Sequence, residues 1–448
     1  MYIKNAKIER DPPQNAVDKE KRSKYDCKNA IQTSQRFGAL MRDSPDAVFI
    51  SSSRIPRTKQ NECEEIKMES KRFYYLDWLR ALVVLSLIPF HAALTYLRYG
   101  VVYIKAPITG ISALPFLLFT VPLGDFFMLL LFFVAGVTAN YSLRKRSGRS
   151  FMAERAHRLL LPLLLGSLSI CPLTGYCKAL YEGFQDGFLA FLPKFFLTDI
   201  IHYNGYGHLW FLLYLFVFSA ICLPLLLYWK KKDSSLKSLV AYLIKGNRVL
   251  IPFGLIVLFE LFLRPFFSNS AYIIITDWAN DAVYLSLFLF GYVFASDERI
   301  SERFRSYGRL SILLVLLSLA ELFYVNIQSQ VFYVDSIFQT IVWVISKGIY
   351  ESAAIVLLIN IGSKQWNVDS GALRYLSKAS FPIYILHFLP VTFFSLILIR
   401  TSLPDFLKFT LTVLLSYVTV FILYECWRRI RIFLDHKKNN HALESTNV

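Results

Sequence analysis

Residues 73–96, FYYLDWLRALVVLSLIPFHAALTY, constrain the fold more than any other stretch of the chain. The stretch is apolar over the roughly 20 residues that a helix needs to cross a bilayer core, yet it contains Asp77, Arg80 and His91. A charged side chain at that depth costs about 3 kcal/mol or more. It must therefore face the interior of a helix bundle or a wet cavity, which predicts a membrane helix with a polar face.

The spacing of these residues indicates a site. His91 lies eleven positions after Arg80, and at roughly 100° per residue both lie on one stripe, roughly 16 Å apart along the axis. Asp77 lies one turn before Arg80 and can pair with it. His91, Arg80 and Asp77 are therefore the candidate catalytic residues. The alternative is that Asp77 and Arg80 form a structural ion pair and that His91 is a packed core histidine.

Composition assigns the rest of the chain to the same class. The 448 residues are 55% hydrophobic and 16% aromatic, which excludes a soluble globular domain and predicts an all-α polytopic membrane protein. The net charge of +17 is spread over short loops, so nucleic acid is not a predicted partner. The six cysteines lack zinc-site spacing, so no metal and no permanently bound cofactor are predicted. Cys171 and Cys177 could form a disulfide, although a packing role is favoured.

About ten transmembrane helices are predicted. The nine that follow the first cover 116–141, 158–174, 208–229, 249–265, 279–296, 310–326, 337–361, 381–399 and 406–427. Alternate loops and the C-terminal tail carry 24 lysines and arginines, against six in the opposite loops. The positive-inside rule then places both termini in the cytoplasm. The predicted location is the inner or plasma membrane.

The chain divides into three parts on this basis. Residues 1–72 are polar, mixed in charge and predicted to form a mostly disordered cytoplasmic tail. Residues 73–430 form the transmembrane domain, and 431–448 form a cytoplasmic C-terminal tail.

A basic segment precedes the third predicted helix. Arg155 and Arg158 are three residues apart, so both would point the same way at the start of a helix. Such a pair can hold the phosphates of a ligand at the cytoplasmic face. The alternative is that the two arginines only anchor the helix at the membrane surface.

Other polar residues lie within or beside predicted spans. His208 and Trp210, in GHLWFL at 207–212, are candidates for the side of the site that receives an acceptor. Lys347 and Glu351 have the spacing of a helical ion pair. Asp125 is a further candidate near the outer interface. For His387, a hydrogen-bonded core histidine is the favoured interpretation.

An ordered set of motifs resembles the integral-membrane acyltransferase family three. The family's signature is an arginine and a histidine with ten residues between them. Arg80 and His91, in the first helix, have this spacing. The further motifs are LFFVAGVTANYSLRKR (131–146), RAHRLLLPLLLGSL (155–168), GHLWFLLYLFVFS (207–219), DWANDAVYLSLFLFGYVFAS (277–296), LSKASFPIYILHFLPV (376–391) and YECWRR (424–429). The motifs most resemble those of the branch that contains the glucan biosynthesis protein C type, which succinylates periplasmic glucans.

The resemblance implies an O-acyltransferase that uses acyl-CoA from the cytoplasm. The acceptor would be a hydroxyl of an extracytoplasmic glycan or lipid-linked sugar, and the acyl group acetyl or succinyl. Arg80 and His91 would be the essential pair, with His91 as general base and Arg155, Arg158 and Arg80 near the donor. Two alternatives stay open: a transporter or flippase of lipid-linked sugar or a small anion, and a non-catalytic scaffold or sensor.

Overall fold

A computed structural model describes residues 73–100, 102–199, 206–267, 276–331 and 337–444. Every regular element within these ranges is a helix. The predicted N-terminal tail, 1–72, lies outside the described residues. The α-helices are α1 (Tyr74–Leu94), α2 (Leu114–Gly124), α3 (Phe127–Lys145), α4 (Gly148–Arg155), α5 (Leu161–Tyr181), α6 (Phe188–Lys194), α7 (Trp210–Lys231), α8 (Asp233–Leu243), α9 (Ile251–Leu263), α10 (Trp278–Phe294), α11 (Glu298–Arg305), α12 (Gly308–Val331), α13 (Ile337–Gln365), α14 (Gly371–Leu386), α15 (Phe388–Leu398) and α16 (Asp405–Glu444).

These helices make a multi-pass membrane protein. Among the described residues, eight helical stretches are long and apolar enough to cross a membrane, and two bent helix pairs raise the number to ten. The ten predicted spans correspond to these segments. The bent pairs are α10 with α11, at 109°, and α14 with α15, at 54°. The last helix continues to Glu444, through most of the segment that the sequence assigned to a C-terminal tail.

Leucines that point away from the bundle follow helical spacing. On α5, Leu161, Leu164, Leu165 and Leu168 are all exposed and form a stripe along the helix. A similar stripe of exposed apolar residues runs along α12. Because a bilayer solvates such a face, these stripes mark the lipid-facing surface. Cys171 and Cys177, on α5, are buried free thiols, as the packing interpretation predicted.

Prolines set the shape of the helices around the site. Pro89 cannot donate a backbone hydrogen bond, which frees the carbonyl oxygen four residues earlier in α1. That oxygen, on Leu85, instead accepts the hydroxyl of Tyr417 at 2.9 Å. The bond fixes α1 to α16 just before the turn that carries His91.

Helices α3 and α10 cross at two glycines. A Cβ atom added to Gly136 would lie 1.9 Å from the carbonyl oxygen of Phe288, and one added to Gly291 would lie 2.0 Å from that of Phe133. Small residues allow backbones to approach this closely in membrane bundles. The reciprocal contact fixes the crossing point of the two helices.

Candidate active site

A cavity of about 700 Å³ lies among the helices, a volume suited to a small-molecule ligand. Its wall is formed by residues of α1, α10, α12 and α13, by the break between α2 and α3, and by the segment before α7. The bend between α14 and α15 completes it. Two groups of polar side chains contribute residues to this wall, and we call them the histidine end and the ionic end.

The histidine end consists of His91, His208 and His387, together with Phe388. The rings of His91 and His387 are stacked with centroids 5.4 Å apart, and those of His208 and His387 meet edge to face at 5.2 Å. Phe388 contacts the rings of both His91 and His208, at 5.0 and 5.1 Å. Three residues that are distant in the sequence therefore form one compact group.

The bend between α14 and α15 supplies backbone acceptors to this group. Pro390 removes a donor there, and the helix breaks at His387. The carbonyl oxygen of Tyr384 accepts a hydrogen bond from Nδ1 of His387 at 2.7 Å, and that of Ile385 accepts one from Nε2 of His208 at 2.9 Å. A carbonyl only accepts, so each of these ring nitrogens carries a proton.

These bonds fix which nitrogen of each neutral ring is the proton acceptor. It is Nδ1 in His208 and Nε2 in His387, and both atoms are buried without a hydrogen-bond partner among the described residues. His387 is therefore hydrogen-bonded at Nδ1, as the favoured interpretation expected, but no described residue hydrogen-bonds to its Nε2. The ring of His387 also stacks on that of His91 at the cavity wall.

His91 differs from the other two histidines. Neither ring nitrogen makes a hydrogen bond to a described residue, and the ring is held by stacking on His387 and by edge contacts with Phe90 and Phe388. Its Nδ1 is buried, whereas the side chain as a whole is half-buried. The accessible part of the ring therefore lies away from Nδ1 and faces the cavity, where it can accept a proton from a ligand.

Gly207 places His208 on the wall. Its φ of +47° lies in the left-handed region, which a residue without Cβ adopts readily. His208 follows in a short 3₁₀ turn, Gly207–Leu209, that leads into α7. The hydroxyl of Tyr384 donates to the carbonyl oxygen of His208 at 2.7 Å, which joins this turn to α14.

The segment after α1 also contributes Tyr99, Gly100 and Tyr103 to the wall. Lys105 holds this segment in place because its Nζ donates to the carbonyl oxygens of Leu94, Leu97 and Tyr99 at 2.7–3.1 Å. Burial lowers the pKa of Lys105 to about 8. The lysine serves as a hydrogen-bonding anchor of the segment.

The ionic end begins with Lys347 and Glu351, which form the ion pair that their spacing predicted. Lys347 Nζ also donates to Glu260 Oε1 at 2.9 Å, and Arg264 binds both oxygens of Glu260 at 2.8 Å. Asn280 accepts from Arg264 at 2.7 Å. All five side chains are buried, so this is a hydrogen-bonded charge cluster that joins α9, α10 and α13.

Two aspartates flank the cluster. Asp277 caps α10, and its Oδ2 accepts from Asn280 Nδ2 at 2.6 Å. Asp125 lies at the break between α2 and α3, on the cavity wall. The sequence placed Asp125 within one helix near the outer interface, whereas the structure places it where two helices meet at the cavity.

The cavity thus brings together His91, His208, Trp210, His387, Asp125 and Glu351 from the predicted set. Trp210 is buried and stacks on Tyr284 with ring centroids 5.9 Å apart. The sequence left these residues as separate candidates, since nothing in it shows that their helices converge.

Arg80 and Asp77 lie elsewhere. They form the predicted ion pair at 3.2 Å, and Arg80 Nη2 donates to Ser377 Oγ at 2.6 Å. Neither residue is part of the described cavity wall. In this structure Arg80 joins α1 to α14, while the same helix carries His91 into the cavity.

Arg155 and Arg158 also lie away from the cavity wall, and their contacts differ. A π turn, Ala156–Leu160, separates α4 from α5, so residues three apart do not stack as in an α-helix. Arg158 is 73% exposed and pairs with Glu154 at 3.0 Å. Arg155 is half-buried, lies over the ring of Phe151 and contacts Thr138 Oγ1 at 3.5 Å.

Sequence reasoning missed Glu260, Asp277 and Asn280, and it counted Arg264 among the six basic residues of the loops opposite the termini. Arg264 is buried beside Glu260. A signal was present, because Glu260 interrupts the apolar run IVLFELFL and lies four residues before Arg264. That is the spacing by which Lys347 and Glu351 were recognised.

Comparison with known proteins identifies the family. A family model described as an acyltransferase domain, acyltransferase family 3, matches residues 73–425. Searches of curated proteins and of solved structures each found no match. The family match begins just before α1, ends within α16 and includes every residue of the cavity wall. The chain therefore belongs to acyltransferase family 3 and is a membrane-embedded acyltransferase.

Proposed function

We propose that this acyltransferase moves an acetyl or succinyl group from cytoplasmic acyl-CoA to a hydroxyl of an extracytoplasmic glycan or lipid-linked sugar. The observation that carries the proposal is the ring of His91, which faces the cavity without a hydrogen bond to a described residue. The orientation follows the positive-inside pattern, with both termini cytoplasmic and the histidine end towards the exterior.

His91 acts as general base in this mechanism. It takes the proton of the acceptor hydroxyl as the hydroxyl oxygen attacks the thioester carbonyl. The C–S bond then breaks, an ester forms, and the CoA thiolate takes the proton back from His91. His387 and Phe388 hold the ring in place by stacking and edge contacts.

The donor is expected at the cytoplasmic face. Arg155 and Arg158 lie at the start of the third span within a strongly basic segment, and guanidinium groups suit the phosphates of CoA. Glu154 binds Arg158 and also contacts Arg146. Donor phosphates would therefore compete with this carboxylate for its arginine partners.

The test uses inverted membrane vesicles that present the cytoplasmic face to radiolabelled acetyl-CoA or succinyl-CoA. Wild-type protein should move label into a glycan or lipid fraction. His91→Ala should lower the initial rate about 100-fold or more, because general-base catalysis contributes roughly 10²- to 10⁴-fold. The donor that supplies label identifies the acyl group.

His436→Asn is the matched histidine control, because it lies beyond the end of the last candidate span at Leu434. It should transfer label at the wild-type rate. Wild-type rates from a folded, inserted His91→Ala protein would refute the role of His91. Movement of a sugar or anion without consumption of acyl-CoA would instead establish the transporter alternative.

Arg80 is proposed to act by positioning α1, through Ser377, rather than by holding the donor. Ser377→Ala removes the 2.6 Å hydrogen bond and should lower kcat about three- to tenfold while KM for acyl-CoA stays unchanged. Arg80→Lys should behave in the same way. A KM for acyl-CoA that rises tenfold or more in Arg80→Lys alone would instead assign Arg80 to the donor phosphates.

A further inference from the structure

The ionic end of the cavity holds more acidic than basic side chains. Among the described residues, it is formed by the acidic side chains of Asp125, Glu260, Asp277 and Glu351 and the basic side chains of Arg264 and Lys347. With all six groups ionised, two negative charges lack a counter-charge. A buried charge without a partner is costly, so a cationic group would complete the cluster.

The excess is located on two particular residues. Both oxygens of Glu260 are hydrogen-bonded, and Asp277 binds Asn280. Glu351 is only 1% exposed, yet its Oε2 atom has no hydrogen-bond partner among the described residues. Asp125 makes no ion pair or side-chain hydrogen bond with a described residue. Asp125 and Glu351 both line the cavity.

A contact between α13 and the α2–α3 break joins the two elements that carry these carboxylates. The hydroxyl of Tyr350, next to Glu351, donates to the carbonyl oxygen of Pro122 at 2.5 Å. The ring of Tyr350 also meets that of Phe126 at 6.4 Å. Pro122 and Phe126 lie on either side of Asp125, so Tyr350 fixes the α2–α3 break beside the helix that carries Glu351.

The neighbouring wall suits a ligand that is both polar and cationic. Gln339, Trp343, Lys347 and Glu351 recur every four residues along α13, and all four line the cavity. An aromatic face near an ammonium group stabilises it by cation–π attraction, which Trp343 can supply. The amide of Gln339 can bind hydroxyl groups.

We propose that Asp125 and Glu351 bind a protonated primary amine carried by the ligand of this cavity. The amine donates hydrogen bonds to the free carboxylate oxygens, while a hydroxyl of the same molecule lies at the histidine end. If the ligand is the acyl acceptor, the acceptor is an amino sugar, and this part of the inference rests on the proposed function. Binding of the amine at Asp125 and Glu351 does not depend on acyl transfer.

The test measures binding of D-glucosamine and D-glucose to the purified full-length protein in detergent, by saturation-transfer NMR at about pH 6, where an amino group is protonated. The two probes differ by an ammonium in place of one hydroxyl. Wild-type protein should bind glucosamine about 10- to 100-fold more tightly, since hydrogen bonds to charged groups have that strength.

Asp125→Asn is the cleanest variant, because Asp125 has no described ion pair or side-chain hydrogen bond to lose. It should lower the preference for glucosamine at least about tenfold, as should Glu351→Gln. Glu321→Gln, the same change on α12 away from the described cavity wall, should leave the preference unchanged. Equal binding of the two sugars, no binding of glucosamine, or a preference that survives Asp125→Asn would overturn the proposal.

The same variants separate this inference from the proposed function. His91→Ala should keep the preference for glucosamine while it loses acyl transfer. Acyl transfer by wild-type protein without a preference for the amine would refute the amine site alone. A preference for the amine without acyl transfer from either CoA donor would refute the proposed function alone.

Discussion

Gly291→Ala should prevent the protein from folding. The added methyl group would lie 2.0 Å from the carbonyl oxygen of Phe133, where real contacts are 3 Å or longer. Because that oxygen belongs to the backbone of α3, no side-chain rotation relieves the clash. The cost should exceed the about 1–3 kcal/mol of ordinary overpacking, since both helices must separate along their buried contact. Gly136→Ala should fail in the same way.

The measurement is the yield of monodisperse protein after detergent extraction, which should fall at least about tenfold, the change expected from 1.4 kcal/mol or more. Gly254→Ala is the matched control, because a Cβ atom there meets nothing within 4 Å. This variant should be recovered at the wild-type yield. Recovery of folded Gly291→Ala at that same yield would show that α3 and α10 do not cross as described.

Glu260→Ala should be the most destabilising change in the ionic end. Glu260 accepts three hydrogen bonds from Arg264 and Lys347, so its removal deprives two buried cations of a shared partner. Breaking a buried ion pair from one side costs about 3–5 kcal/mol. The midpoint of thermal unfolding in detergent should fall by several degrees.

Glu182→Ala provides the comparison. Glu182 pairs with Lys178 at 3.6 Å with the same four-residue spacing, but its side chain is 54% exposed. An exposed pair contributes about 0–1 kcal/mol, so this variant should unfold close to wild type. Equal midpoints for the two variants would mean that Glu260 is not an essential member of the cluster.

The sequence predicted most of the fold because its signals are local. Each span is a run of apolar residues long enough to cross a bilayer, and such a run can be recognised without knowledge of the rest of the fold. Helix breaks were harder to predict. Pro390 lies beside the bend at His387, yet proline also occurs inside continuous helices of this chain, as at Pro89 in α1.

The candidate site was predicted as individual residues rather than as a constellation. His91 is identified by its place within a membrane helix, and Lys347 with Glu351 by their spacing. No spacing rule connects His91 to His208 and His387, because their contact depends on how distant helices pack. For the same reason, the sequence could not show that Arg80 and His91, on one stripe of α1, have different surroundings.

The bend at His387 also has a genetic consequence. The acceptors that fix the proton on His208 and His387 are main-chain oxygens of Ile385 and Tyr384, which every amino acid possesses. Replacing either side chain leaves both acceptors in place. A mutational scan would therefore report these positions by the contacts of their side chains, among them the hydrogen bond of the Tyr384 hydroxyl, and the hydrogen bonds that set the histidine tautomers would escape detection.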